Sequence, residues 1–288
     1  MSDTDKLPIM QAVRYSWSFA STAAMPTLPA YLIKAGIAGF AFAAMQAGET
    51  AAGLGLFGLI LWFIASIACL AMTLRLALRG EYSGFIGLQA SPDETRLAAA
   101  QFLYHLVFGL VVLISGFVVW MLAASFIATT IPDMAAIEND AEAFQQALLE
   151  AFQTPTGTVV SILAIIAFFL PVLWFMSRLI TFPAATLARQ KVMIFETWNW
   201  TRGHAFQIII AIIVAIGPFW LLSQLIQWVA TMMLGLPWLI WTEETVNSMT
   251  RMQAFMLGTF AGVATIPMAL VSVGLSAFMY RGFDPDLS

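Results

Sequence analysis

The chain has 288 residues, of which 61% are hydrophobic and only 10% charged, with a mean hydropathy of +0.88 and a formal net charge of −4. A water-soluble domain carries about 25% charged residues, so this composition excludes a globule solvated by water and makes lipid the solvent. The single cysteine, Cys69, excludes an intramolecular disulfide and a cysteine-based metal site.

Met1 to Lys6 is acidic rather than basic and no short apolar core follows it, so no cleavable signal peptide is expected. Ile9 to Ala24 is too short and too polar to span a bilayer. Ile9, Val13, Trp17, Ala20 and Ala24 recur at helical spacing opposite Gln11, Arg14 and Ser18, which predicts an interfacial helix within residues 1–27. Pro26 and Pro29 are expected to turn the chain into the first span.

Six apolar runs follow, each long enough for the roughly 20 residues that a crossing needs. They cover about Leu28–Ala47, Leu54–Leu78, Phe102–Thr130, Val159–Phe182, Ala205–Leu234 and Ala254–Tyr280, and they use up the length as a single integral membrane domain over residues 1–288. With the N-terminus inside, Lys6, Arg14, Lys34, Arg75, Arg79, Arg96, Arg178, Arg189, Lys191, Arg202 and Arg281 fall on the inner side, and only Arg251 on the outer. Eleven of the twelve basic residues on one side predict an N-in, C-in topology. Glu49, Asp133, Glu138, Asp140, Glu142, Glu150, Glu243 and Glu244 make the outer loops acidic, in agreement. The fold class predicted is an all-α membrane protein of six transmembrane helices, with amphipathic interfacial helices on the cytoplasmic side.

Between the spans, Ser91-Pro92-Asp93-Glu94 is a helix start: a serine cap, a proline at the first position, and a glutamate that reaches back. In the outer loop between spans three and four, Ile137, Phe144, Leu148, Leu149 and Phe152 predict a short helix over Ala135–Phe152 with one apolar face. Pro183 to His204 mixes Arg189, Lys191 and Glu196 with Leu187, Val192, Phe195, Trp198 and Trp200, as a basic, tryptophan-anchored interfacial helix would. Arg75 or Arg79, Arg178 and Arg281 close the even-numbered spans, where a cation meets the negative end of the helix dipole, and Gly80 and Gly282 follow as helix stops.

Within the spans, Gly53-Leu54-Gly55-Leu56-Phe57-Gly58 matches the spacing of a dinucleotide loop but lacks the preceding strand and the closing acid, so helix packing is its reading. Gly258 and Gly262 form a G-x-x-x-G pair that predicts close helix packing, within the chain or against a second copy. Pro171, Pro218 and Pro267 predict kinks in spans four to six. Gln224, Gln227 and Thr231 share one face of the fifth span, as interhelical hydrogen bonding or a hydrophilic path would require. No aspartate or glutamate lies near mid-membrane, which argues against a proton-coupled pump. Two histidines and one cysteine leave no metal site to draw on, and no context marks a catalytic nucleophile.

Arg178-Leu179-Ile180-Thr181-Phe182-Pro183-Ala184, followed by Phe195-Glu196-Thr197-Trp198-Asn199-Trp200-Thr201-Arg202-Gly203-His204, resembles the cytoplasmic segment before a late span in bacterial multi-pass inner-membrane proteins. These are related to the membrane domain of glycerophosphoryl diester phosphodiesterases. Thr197-Trp198 stands for their Ser-Trp pair and Thr201-Arg202-Gly203 for their Thr-Lys/Arg-Gly end, while Trp200 replaces an aliphatic residue. The resemblance implies a six-span inner-membrane layout. It implies no phosphodiester hydrolysis, because the barrel that performs it, about 250 residues, is not in these residues.

The sequence therefore points to a non-enzymatic inner-membrane protein that binds lipid or serves as an accessory or scaffold subunit. Arg178, Arg189, Lys191, Glu196, Trp198, Trp200, Arg202 and His204 are the candidate residues for lipid or partner binding. Membrane phospholipid is the expected partner, with another membrane protein or a second copy as the further one. No nucleic acid, cofactor or catalytic residue is expected. Two rivals stand beside it: a transporter component using spans four to six, and a lipid-modifying enzyme in which Glu94, His105, Glu196 and His204 converge.

Overall fold

A computed structural model describes residues 8–46, 52–131, 141–236 and 248–284. Among these residues it is mainly helical and holds no strand, only one isolated bridge between Phe85 and Leu88. The helices are α1 (Ile9–Met45), α2 (Ala52–Arg79), α3 (Pro92–Thr130), α4 (Ala141–Gln153), α5 (Pro155–Leu179), α6 (Phe182–Ala188), α7 (Phe195–Trp200), α8 (Ala205–Met233), α9 (Arg251–Ala264) and α10 (Ile266–Phe283). Six stretches are long and apolar enough to cross a membrane, namely Ile9–Met45, Gly53–Arg79, Pro92–Thr130, Pro155–Ala188, Ala205–Met233 and Arg251–Phe283.

Two expected boundaries are absent. Pro26 and Pro29 lie inside α1, which runs unbroken from Ile9. The stretch taken for a separate interfacial helix is its first half, with Ala12, Val13, Ser16 and Ala20 buried. Likewise α3 begins at Pro92 rather than near Phe102. The reason is length. A helix of 37 residues is roughly 55 Å long at 1.5 Å per residue, against a hydrocarbon layer of about 30 Å, so α1 and α3 outrun any bilayer and their more polar turns overhang it. Prolines are tolerated in such helices where neighbouring hydroxyls and small residues accommodate the backbone. Here Thr27 Oγ1 donates to Ala23 O at 2.7 Å and Tyr82 Oη to Pro26 O at 2.5 Å.

The chain divides into two compact units, residues 1–102 with 178–288, and residues 103–177. In the first, α1 is the central element, packed against α2, α8, α9 and α10. In lipid the hydrophobic effect between helices is small, and close packing of small residues takes its place. A Cβ added to Gly262 would lie 2.7 Å from Ala35 Cα, one on Gly258 2.9 Å from Ala38 O, and one on Gly58 2.7 Å from Ala41 Cα. The G-x-x-x-G pair is thus occupied by α1 of the same chain, and the glycine-rich start of α2 is a packing surface. Across α1 and α2 the buried Tyr31 hydroxyl meets Thr73 Oγ1 at 3.1 Å.

Pro267 coincides with a break, since Thr265 ends α9 and begins α10, whereas Pro171 and Pro218 sit inside continuous α5 and α8. Gly80 is a true stop, with φ +68° and its N–H on Leu76 O at 3.1 Å. Gly282 is not: α10 continues to Phe283 and is closed by Asp284, whose N–H bonds Tyr280 O at 2.9 Å.

In the second unit, Tyr104, Phe108 and Phe175 stack between α3 and α5, and Phe126 meets Phe152 of α4 at 5.2 Å between ring centroids. Thr154 accepts the Gly157 N–H at 3.0 Å, a cap that starts α5 with Pro155 in its first turn. Of the outer-loop helix expected over Ala135–Phe152, α4 forms from Ala141; Leu149 is exposed, and Ile137 and the Phe144 side chain lie outside the described residues.

Candidate functional site

The expected helix start at Ser91 forms as the residues dictate. The Ser91 N–H donates to Glu94 Oε2 at 3.0 Å, and the Asp93 N–H donates to Ser91 Oγ at 3.2 Å. Glu94 is thereby aimed at Arg75, whose Nη1 it meets at 2.6 Å with the arginine 2% exposed. Gln89, with its amide oxygen turned to Arg75, accepts from Nε at 3.2 Å and from Nη1 at 3.3 Å. Arg79 reaches Leu187 O at 3.0 Å and Asp93 at 3.5 Å. Arg281 donates to Ala77 O at 2.8 Å and to Tyr15 Oη at 3.1 Å. Ala77 lies in the last turn of α2, whose carbonyls have no partner within the helix, so Arg281 of α10 caps α2. Three of the arginines expected to close the even-numbered spans thus have partners within the protein.

Lys34 lies within α1. It lies about 16 Å short of the α1 end at Met45, counting ~1.5 Å per residue, with its ammonium 5.7 Å from the Tyr31 ring centroid and 5.8 Å from that of Trp62.

The basic, aromatic segment between α5 and α8 forms two short helices, α6 and α7, rather than one. Ala184, Ala185 and Leu187 of α6 are buried against Leu74, Ala77 and Ala277, so the segment packs into the core instead of resting on a leaflet by one face. It forms two guanidinium–indole stacks. Arg178 lies 5.3 Å from the Trp198 ring centroid, and Arg189 lies 5.0 Å from that of Trp200. Each stack contributes about 0.5–2 kcal/mol, depending on how dry it is. Arg189 also forks onto Asp284, with Nε 3.2 Å from Oδ2 and Nη2 on Oδ1, and Tyr280 stacks beside Trp200 at 6.3 Å. Thr201 Oγ1 donates to Arg178 O at 3.0 Å and so ties α7 to the end of α5. Lys191 pairs with Glu196 at 2.8 Å on the surface. His204 Nδ1 meets Gln207 Oε1 at 2.8 Å, and its ring packs on Phe283 at 5.3 Å.

The candidate residues therefore fall into three groups. Arg189, Lys191, Glu196 and Trp200 line one cavity of about 430 Å³ with Met193. Arg178 and Trp198 form a second locus beside Arg202, and His204 stands apart with Gln207. Asp284 and Tyr280 belong to the first group but were not singled out in the sequence, where nothing links Asp284 to a residue 95 positions away. A larger cavity, about 560 Å³, also went unforeseen; it lies between α2 and the start of α3, with Gln89, Glu94 and Thr95 in an otherwise apolar lining. Three of the four residues named for an enzyme have partners outside that set. Glu94 is held by Arg75 and Ser91, Glu196 by Lys191, and His204 by Gln207. The polar stripe does converge: Gln224, Gln227 and Thr231 line a separate cavity of about 430 Å³ with Phe42, Leu257, Gly258 and Ala261. Among the described residues no cluster of three or more His, Cys, Asp or Glu could hold a metal.

Six apolar helices of spanning length define a multi-pass α-helical integral membrane protein. No family model matches the chain, and neither does any curated protein or solved structure.

Proposed function

We propose that this is a non-enzymatic protein of the bacterial inner membrane, both termini cytoplasmic, which binds anionic phospholipid through the segment between α5 and α8 and acts as an accessory or scaffold subunit. The observation that carries the reading is the pair of guanidinium–indole stacks on that segment. Tryptophan and arginine are the residues that settle at the head-group level. The exposed Lys191–Glu196 pair is worth about 0–1 kcal/mol, so a lipid phosphate can compete for Lys191. Each basic residue near an anionic surface adds on the order of 1 kcal/mol. Since Gly258 and Gly262 are filled by α1, a second copy has to meet another face. Extraction from native membranes in mild detergent tests the proposal. Co-purified lipid enriched in anionic phospholipid over the bulk extract is expected, and a composition equal to the bulk counts against it.

A transporter component is the second reading, favoured by the Gln224–Gln227–Thr231 cavity and by the break of the sixth span at Thr265. Gln227→Cys in a Cys69→Ser background reports on it. Labelling by a charged thiol reagent in proteoliposomes indicates a wet path, and complete protection removes the reading.

A further inference from the structure

The arginines at the ends of the even-numbered spans are not equivalent. Arg75 has a carboxylate, Arg79 a carboxylate and a carbonyl, and Arg281 two carbonyls and a phenol. Arg178 has none of these. It is 6% exposed, its Nε is buried without a hydrogen-bond partner, and its guanidinium contact is the face of Trp198. Its backbone carbonyl accepts from Thr201, which fixes the chain beside Arg178 one residue before the exposed Arg202. Among the described residues neither Arg178 nor Arg202 makes an ion pair. A buried cation with a second cation one residue from its backbone partner, and no anion among the described residues, is an incomplete arrangement, because buried charges persist when paired. An aromatic face compensates only part of the lost hydration.

We infer that Arg178 and Arg202 together bind the phosphate group of one membrane lipid, with Trp198 as the platform beneath the guanidinium. Arg178 ends α5, a helix of spanning length, and such an end stands at the level of lipid phosphates. A phosphate accepts the planar donor fork of arginine through two oxygens, and two cations suit a head group of net negative charge better than a zwitterion. This site deepens the lipid-binding reading and rests on it, but it lies apart from the Arg189–Trp200 cavity, where the carboxylate of Asp284 already occupies the arginine.

Native mass spectrometry of the full chain in mild detergent, titrated with phosphatidylglycerol, phosphatidylcholine and inorganic phosphate, tests the inference. The wild type is expected to retain one phosphatidylglycerol per chain more tightly than phosphatidylcholine. Arg178→Gln is expected to weaken it about tenfold or more, and Arg178→Lys, which keeps the charge but loses the fork, by less. Arg202→Gln changes an exposed side chain, leaves the core intact, and is expected to weaken binding several-fold. Equal retention by wild type, Arg178→Gln and Arg202→Gln overturns the site while leaving lipid binding elsewhere on the segment standing. Absence of any anionic preference in the wild type overturns the underlying reading as well. Displacement of the lipid by millimolar inorganic phosphate assigns the site to a free anion. A protein that co-purifies with the wild type and is lost with Arg178→Gln assigns it to a carboxylate partner. Either of these last results overturns the lipid as occupant.

Discussion

Arg75 and Lys34 are both cations withdrawn from water, and they are held in opposite ways. Arg75 is paired with Glu94 at 2.6 Å, whereas Lys34 lies over the Tyr31 and Trp62 rings. Removing one partner of a buried pair leaves an uncompensated charge, at a cost of about 3–5 kcal/mol. Glu94→Ala is therefore expected to destabilise the protein by that amount in thermal unfolding in detergent, while Arg75→Met with Glu94→Leu recovers most of the loss. Lys34→Met is expected to be neutral or stabilising by up to about 2 kcal/mol, since a charge within a span is unfavourable and methionine fills similar space; a loss of stability would show that Lys34 has an anionic partner. At this scale the sequence was informative about residue type and nearly silent about pairing. Ser91 and Glu94 are three residues apart, and their contact was readable as a capping box. Arg189 with Asp284, and Arg281 with the end of α2, join distant positions that only the packing of α10 brings together.

Among the elements, spans four and five were legible because their apolar runs are bounded by capping and polar residues close to their ends. The differences at α1 and α3 share one cause: polarity was read as a helix boundary. In α1 and α3 the helix outlasts the apolar run, so Ile9–Ala24 and Pro92–Gln101 are overhanging turns of longer helices. The segment from Pro183 to His204 failed for the reverse reason, because Gln190, at φ +52°, ends its helical course between α6 and α7. If α1 is continuous, Pro26→Ala leaves its path unchanged and shifts stability by no more than about 1 kcal/mol in the same assay; a larger loss would mean that the proline defines a turn. The glycine contacts are more demanding. Gly262→Leu forces a branched side chain against Ala35, and overpacking of this kind costs about 1–3 kcal/mol. A lowered midpoint of thermal unfolding is expected for Gly262→Leu, and little change for Gly217→Leu, where a Cβ meets nothing within 4 Å.

For the molecule as a whole, the proposed orientation rests on the charge asymmetry of the sequence. Arg75, Arg79 and Arg281 gather where α2 and α10 finish, and Arg79 joins α6 of the basic, tryptophan-bearing segment to that end. If that end meets the anionic inner leaflet, the two guanidinium–indole stacks lie where lipid phosphate can reach them. Asn199 is exposed on the same segment, and Arg251 is exposed at the start of α9. Labelling of Asn199→Cys and Arg251→Cys by a membrane-impermeant thiol reagent, each in a Cys69→Ser background, measures this orientation directly in sealed vesicles of defined sidedness. Arg251→Cys is expected to react in right-side-out vesicles and Asn199→Cys only in inverted ones. Reaction of Asn199→Cys in right-side-out vesicles would place the segment on the wrong face of the bilayer and contradict the account.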